Sequence, residues 1–94
     1  MITKKVVFIA KDDSIQELKA LLAMMVKPSQ AEAGCQLYEI FQMDEKPSTF
    51  VVIETWESED FLEGHRHTPH YAEYKANFEQ YCADKYSDPL TSLV

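Results

Sequence analysis

With 94 residues, 16 Asp and Glu against 9 Lys and Arg, a formal charge of −7, 46% hydrophobic and 12% aromatic residues, the chain has the composition of a single globular domain spanning residues 1–94. Two glycines and four prolines exclude collagen-like and linker sequence, and the hydrophobic content excludes disorder. A chain of this mass buries about two-thirds of its surface on folding, a thin core that gains from a partner subunit.

The acidic balance and the scatter of the basic residues argue against nucleic acid and against anionic membrane surfaces as partners. The longest early apolar run, Val6 to Ala10, is too short for a secretory core or a bilayer span. Cys35 and Cys82 lack CxxC spacing and read as two free thiols, so a cytoplasmic protein is expected.

Residues 2 to 10 are rich enough in β-branched and aromatic side chains for a strand. The period then changes. Ser14-x-x-Glu17 fits a capping box, and Ile15, Leu18, Leu22 and Met25 follow at helical steps, predicting a helix that breaks before Pro28. A short polar segment, 29 to 33, ends at Gly34, which suits a left-handed exit. Residues 35 to 43 and 49 to 57 both read as strands, and the turn chemistry of residues 44 to 48 joins them in an antiparallel hairpin. Ser58 caps a short helix from Glu59 to about Arg66. Thr68-Pro69 starts a third, with the apolar stripe Tyr71, Tyr74, Phe78 and Tyr81. The tail from Tyr86 to Val94 offers a short edge strand.

This order predicts an α+β, ferredoxin-like sandwich with an antiparallel sheet. If Tyr38 faces Glu54 across the hairpin, one face carries Gln36, Tyr38, Ile40, Phe50, Val52, Glu54 and Trp56. The other carries Leu37, Phe41, Val51 and Ile53. Helices cover only one face, so the second predicts a homodimer packed sheet to sheet.

Several residues invite chemistry. Glu54 is a carboxylate in the middle of an apolar strand and needs a partner there. That partner is either structural or catalytic. Trp56 and Phe50 share its face, with core packing as the plain alternative to a ligand-binding role. His65 and His67 point to different sides of a helix, and Thr68-Pro69 separates His70 from both, so the histidines do not form an i, i+4 metal pair. Two glycines cannot build a phosphate cradle, and neither cysteine has a setting that activates a thiolate. Neither a nucleotide cofactor nor a metal is expected, and an aromatic, histidine-lined pocket remains.

Ala33-Gly34-Cys35 with Tyr38, then Phe50, Glu54, Trp56, Ser58, His65 and Thr68-Pro69-His70-Tyr71, resembles the antibiotic biosynthesis monooxygenase family, including its quinol monooxygenase branch. The most specific piece is Glu-x-Trp-x-Ser followed by His and Thr-Pro-His-Tyr. The resemblance covers nearly the whole chain. It implies a dimeric α+β barrel with one cavity per subunit, and cofactor-independent oxidation of a quinol or other polyphenol by O₂. The haem-degrading branch also uses an Asn on the first strand and a late-helix His. This chain has no such Asn, and Lys75 stands at the late-helix position.

Cofactor-free oxygenation needs a base and a flat apolar slot. His65 is the expected base, because an unperturbed imidazole titrates near neutrality. Glu54 is expected to orient it, a water or a substrate hydroxyl. Tyr38, Phe50 and Trp56 are expected to hold the ring, with His70 and Tyr74 as further substrate-binding residues. An isomerase of a small metabolite and a non-catalytic dimeric binding module are the alternatives.

Overall fold

The β-branched opening segment forms β1 (Ile2–Ala10) in a computed structural model that describes residues 1–94. In α1 (Ile15–Met24) Leu18 and Leu22 turn inward, as their four-residue spacing requires. The expected capping box does not form: the Ser14 hydroxyl donates to Asp13 Oδ1 at 3.0 Å instead of accepting from a helix amide. The helix ends at Met24, before Pro28 as expected. A second helix, α2 (Val26–Gln30), follows α1 directly, and Pro28 occupies its third position, where an amide would have no acceptor within the helix.

Gly34 has φ of 81°, and a side chain there would overlap the Phe61 ring. Its carbonyl accepts from the Glu57 amide at 2.8 Å, tying the approach to the hairpin onto the hairpin's far end. The hairpin itself comprises β2 (Cys35–Gln42) and β3 (Thr49–Trp56), with Tyr38 opposite Glu54. One register shift between Cys35 and Leu37 puts Cys35 opposite Trp56 and leaves Gln36 exposed, so Gln36 is not on the inner face where simple alternation put it.

Helix α3 (Glu59–His65) and helix α4 (Pro69–Tyr81) are separated by a tight turn. Thr68 caps α4, its Oγ1 accepting from the Tyr71 amide at 3.2 Å. The last strand, β4 (Cys82–Leu90), follows α4 without a loop and begins four residues before the expected Tyr86. It lies at the sheet edge, where Pro89 withholds no needed donor.

The sheet order is β2-β3-β1-β4 with every neighbour antiparallel, the ferredoxin-like α+β arrangement. The helices cover one face, and the core between them includes Phe8, Leu18, Val52, Trp56, Leu62 and Phe78. On the opposite face Leu37 and Phe41 are exposed and Val51 and Ile53 half-buried.

Gly34→Ala is expected to lower stability by about 2 to 5 kcal/mol, combining left-handed backbone strain with the overlap against Phe61. Gly64 sits in α3 with open space around its Cα, so Gly64→Ala is expected to leave stability unchanged or raise it by up to about 1 kcal/mol. Thermal unfolding of the two variants checks the contrast.

Candidate active site

His65, the last residue of α3, is 3% exposed and enclosed by aromatic rings. Ring centroids of Trp56, Tyr71 and Tyr38 lie 4.6, 5.1 and 5.7 Å from its own. Its Nδ1 is 2.6 Å from Glu32 Oε2, and the same oxygen is 2.7 Å from His70 Nε2. The Thr68 hydroxyl donates to the His65 carbonyl at 2.8 Å and therefore offers only a lone pair to His70 Nε2, 3.2 Å away. The network thus assigns hydrogens to His65 Nδ1 and His70 Nε2, both directed at the Glu32 carboxylate. His65 Nε2 is left without a protein partner on a residue that lines the central cavity.

Glu54 is buried, but it does not orient His65. Its Oε1 accepts from the Trp56 indole N–H at 2.8 Å, which answers the need for a partner within the strand itself, two residues along the same face. The orienting carboxylate is Glu32, from the polar segment ahead of Gly34. No sequence period marks that residue, because only the tertiary fold brings it to the histidines. His70, separated from His65 by the Thr68-Pro69 break, rejoins it through Glu32. His67 is exposed and sits 3.1 Å from Glu63 Oε1.

The cavity has a volume of about 80 Å³. Tyr38, Glu54, His65 and Tyr74 line it, joined by Tyr71. Trp56 and Phe50 do not. Trp56 is fully buried beside His65, and Phe50 lies further along β3 opposite Phe8. The aromatic side chains that line the cavity are Phe8, Tyr38, Tyr71 and Tyr74. Burial raises the Tyr38 and Tyr74 hydroxyls well above the ordinary phenol range, with Glu54 adding to the effect at Tyr38 and neighbouring Tyr71 at Tyr74. They serve as hydrogen-bond donors at neutral pH and not as bases. Burial likewise pushes both thiols up, Glu32 adding to it at Cys35, so neither is a nucleophile.

Three basic side chains reach the same cavity: Lys4, Arg66 and Lys85. Arg66 is paired with Glu63 at 2.9 Å. Lys4 and Lys85 have no carboxylate within ion-pair distance, and the early start of β4 places the exposed Lys85 beside the cavity.

Residues 1–77 match the family profile described as antibiotic biosynthesis monooxygenase. The chain belongs to the antibiotic biosynthesis monooxygenase family. A Mycobacterium tuberculosis protein named "Putative monooxygenase Rv0793" is 35% identical over 69 residues, covering 73% of this chain and 67% of that protein. Among solved structures, PA3566 from Pseudomonas aeruginosa is similar with a TM-score of 0.94 and 29% identity, covering 99% of this chain and 94% of that one. The structure of Rv0793 gives 0.91 and 28%, covering 99% and 95%. A Nitrosomonas europaea protein described as "Putative antibiotic biosynthesis monooxygenase" shares the fold at 0.93 with 22% identity over the whole of both chains.

Within this family member, Glu32, His65 and His70 are the residues that could hold a metal, as one carboxylate and two imidazole donors lying within 4.8 Å of one another. Their two short hydrogen bonds already account for the cluster as a proton-holding chain.

Trp56→Phe removes the only donor on the Glu54 carboxylate and is expected to cost about 1 to 3 kcal/mol, the penalty of a buried acceptor left unmade. Adding Glu54→Gln is expected to recover part of that loss, and denaturant unfolding of both single variants and the double variant measures the coupling.

Proposed function

We propose that this chain is a monooxygenase that oxidises a quinol or another polyphenol with O₂, with His65 as the base and without flavin, haem or metal. The observation carrying this reading is the Glu32–His65 pair. The carboxylate fixes the Nδ1–H tautomer and leaves Nε2 unpartnered at a cavity lined by aromatic side chains.

In this mechanism His65 Nε2 takes a phenolic proton, and Glu32 stabilises the resulting imidazolium. The phenolate passes one electron to O₂, and the phenoxyl and superoxide radicals combine in a bond from ring carbon to oxygen. Loss of the ring C–H proton and cleavage of the O–O bond leave a carbonyl on the ring. The distal oxygen departs as water, carrying that proton and the one returned by His65. The Tyr38, Tyr71 and Tyr74 side chains line the cavity, and their hydroxyls can orient substrate oxygens.

His65→Ala is expected to lower oxygen uptake about 10²- to 10⁴-fold with a dihydroxynaphthalene substrate. Because the ring is buried, some stability is lost too, so added imidazole should restore part of the turnover if His65 is the base. A chelator is expected to leave wild-type uptake unchanged. Uptake lost with chelator and regained with metal would move the chemistry to the Glu32, His65 and His70 ligands, and carbon-bound deuterium exchange without oxygen uptake would make the chain an isomerase.

The apolar outer sheet face supports a homodimer seated on Leu37, Phe41, Val51 and Ile53. Val51→Asp is expected to give monomer or aggregate in sedimentation, and a wild type that sediments as a monomer at micromolar concentration would contradict the dimer. No helix is long and apolar enough to cross a membrane. The two free thiols support a cytoplasmic location.

A further inference from the structure

The cavity is far smaller than the roughly 300 to 1,000 Å³ of a site that encloses a drug-sized ligand, so a ring system seated at His65 extends into the cavity mouth. What stands there is charge. Lys4 and Lys85 line the cavity from adjacent strands, in a chain whose carboxylates outnumber its basic residues, yet neither lies within ion-pair distance of one. Lys85 folds back over the aromatic floor, its Nζ 5.0, 5.7 and 5.7 Å from the ring centroids of Phe8's neighbours Phe78 and Tyr74 and of Phe8 itself. Burial, together with the like charges of Lys75 and Lys4, lowers its pKa. Lys4 is half-buried, and Lys85 remains solvent-accessible while its ammonium lies over the rings; two like charges at one cavity mouth form a site that an anion stabilises.

The neighbouring carboxylate does not fill that role. Glu54 is opposite Lys4 in the β1–β3 register, but its Oε1 is turned to Trp56, and no Lys4–Glu54 contact closes. The sheet therefore presents a row of Tyr38, Glu54 and Lys4 on three adjacent strands, polar at the base end and cationic at the rim.

We propose that the cavity selects a hydroxyaromatic compound bearing an anionic substituent, its hydroxyl directed to His65 and its anion held by Lys4 and Lys85. This rests on the phenol-binding reading of the site, but not on the oxygenase chemistry.

Two oxygen-stable probes test it: 6-hydroxy-2-naphthoate and 2-naphthol, which differ by one carboxylate on the ring far from the hydroxyl. Equilibrium binding followed by probe fluorescence is expected to favour the naphthoate by at least about tenfold in the wild type, the scale of a hydrogen bond to a charged group. That preference should shrink as salt is raised. Lys4→Met with Lys85→Met should reduce the ratio to near one while leaving 2-naphthol affinity in place. Each single variant should fall between, with melting temperature monitored to keep the comparison among folded proteins. Equal wild-type affinities, no binding of either probe, or a preference unchanged in the lysine variants would overturn the proposal. Oxygen uptake with a dihydroxynaphthalene is measured alongside. Carboxylate preference without uptake removes the monooxygenase reading and keeps this one, whereas uptake without preference does the reverse.

Discussion

Taking a carboxylate out of water is costly unless its lone pairs are met, and Glu32 meets that cost by receiving two imidazole N–H groups on one oxygen. Because those imidazoles come from the end of α3 and the first turn of α4, the arrangement pins the segment after α2 to both helices at their junction. Thr68 completes the joint: its hydroxyl ties back to the His65 carbonyl and caps α4 in the same stroke. Weakening Glu32 would therefore loosen the entry to β2, the helix break and the orientation of His65 together. The position of His65 in turn decides which face of Trp56 is covered and which ring nitrogen is free.

The site's two carboxylates, half-buried Glu32 and buried Glu54, have divided roles, and the division is set by their partners. Glu32 is bound to histidines and fixes their tautomers. Glu54 is bound to Trp56 through one oxygen, and its other oxygen has no protein donor while the residue lines the cavity. Burial, reinforced by Glu54, raises the Tyr38 hydroxyl above the ordinary phenol range, so in the proposed mechanism the cavity wall donates hydrogen bonds from tyrosine and accepts a proton at histidine. That asymmetry is what acid–base work on a phenol requires. It also explains why cationic groups are needed at the rim if an anionic ligand is to enter past Glu54.

The fold was largely legible because hydrophobic periodicity switches cleanly between strands and helices, and the Tyr38–Glu54 pairing followed from alternation across a short turn. The failures are local. Ser14 was drawn to Asp13 instead of the helix amides, and one extra residue at Gln36 shifted the face of everything before it. The site was half legible. Short-range strand geometry placed Tyr38 and Glu54, and the helix stripe held Tyr74. Glu32 lies 33 residues from His65 in an aperiodic segment, so nothing local announced it. Lys85 was hidden by the early start of β4. A strand that begins the moment α4 ends has no turn residues to mark it, and its inward alternation cannot be counted until its first residue is known.

The bulge at Gln36 bears on the site as much as on the fold. Cys35 and Tyr38 are three residues apart, and in an unbroken strand they would point to opposite faces. The extra residue puts both on the inner face, Cys35 opposite Trp56 and Tyr38 opposite Glu54. From there the register continues through Glu54 to Lys4 on β1, so hydroxyl, carboxylate and ammonium stand side by side at the strand spacing of about 4.8 Å. The row spans about 10 Å, comparable to a two-ring aromatic laid across the sheet. A one-residue slip in β2 would turn Tyr38 to the outer face and bring Leu37 or Glu39 into the cavity wall. The same pairing that buries the hydrophobic core therefore fixes the order of polar groups along the slot, and selection for a packed core and for a correctly ordered site act on one register.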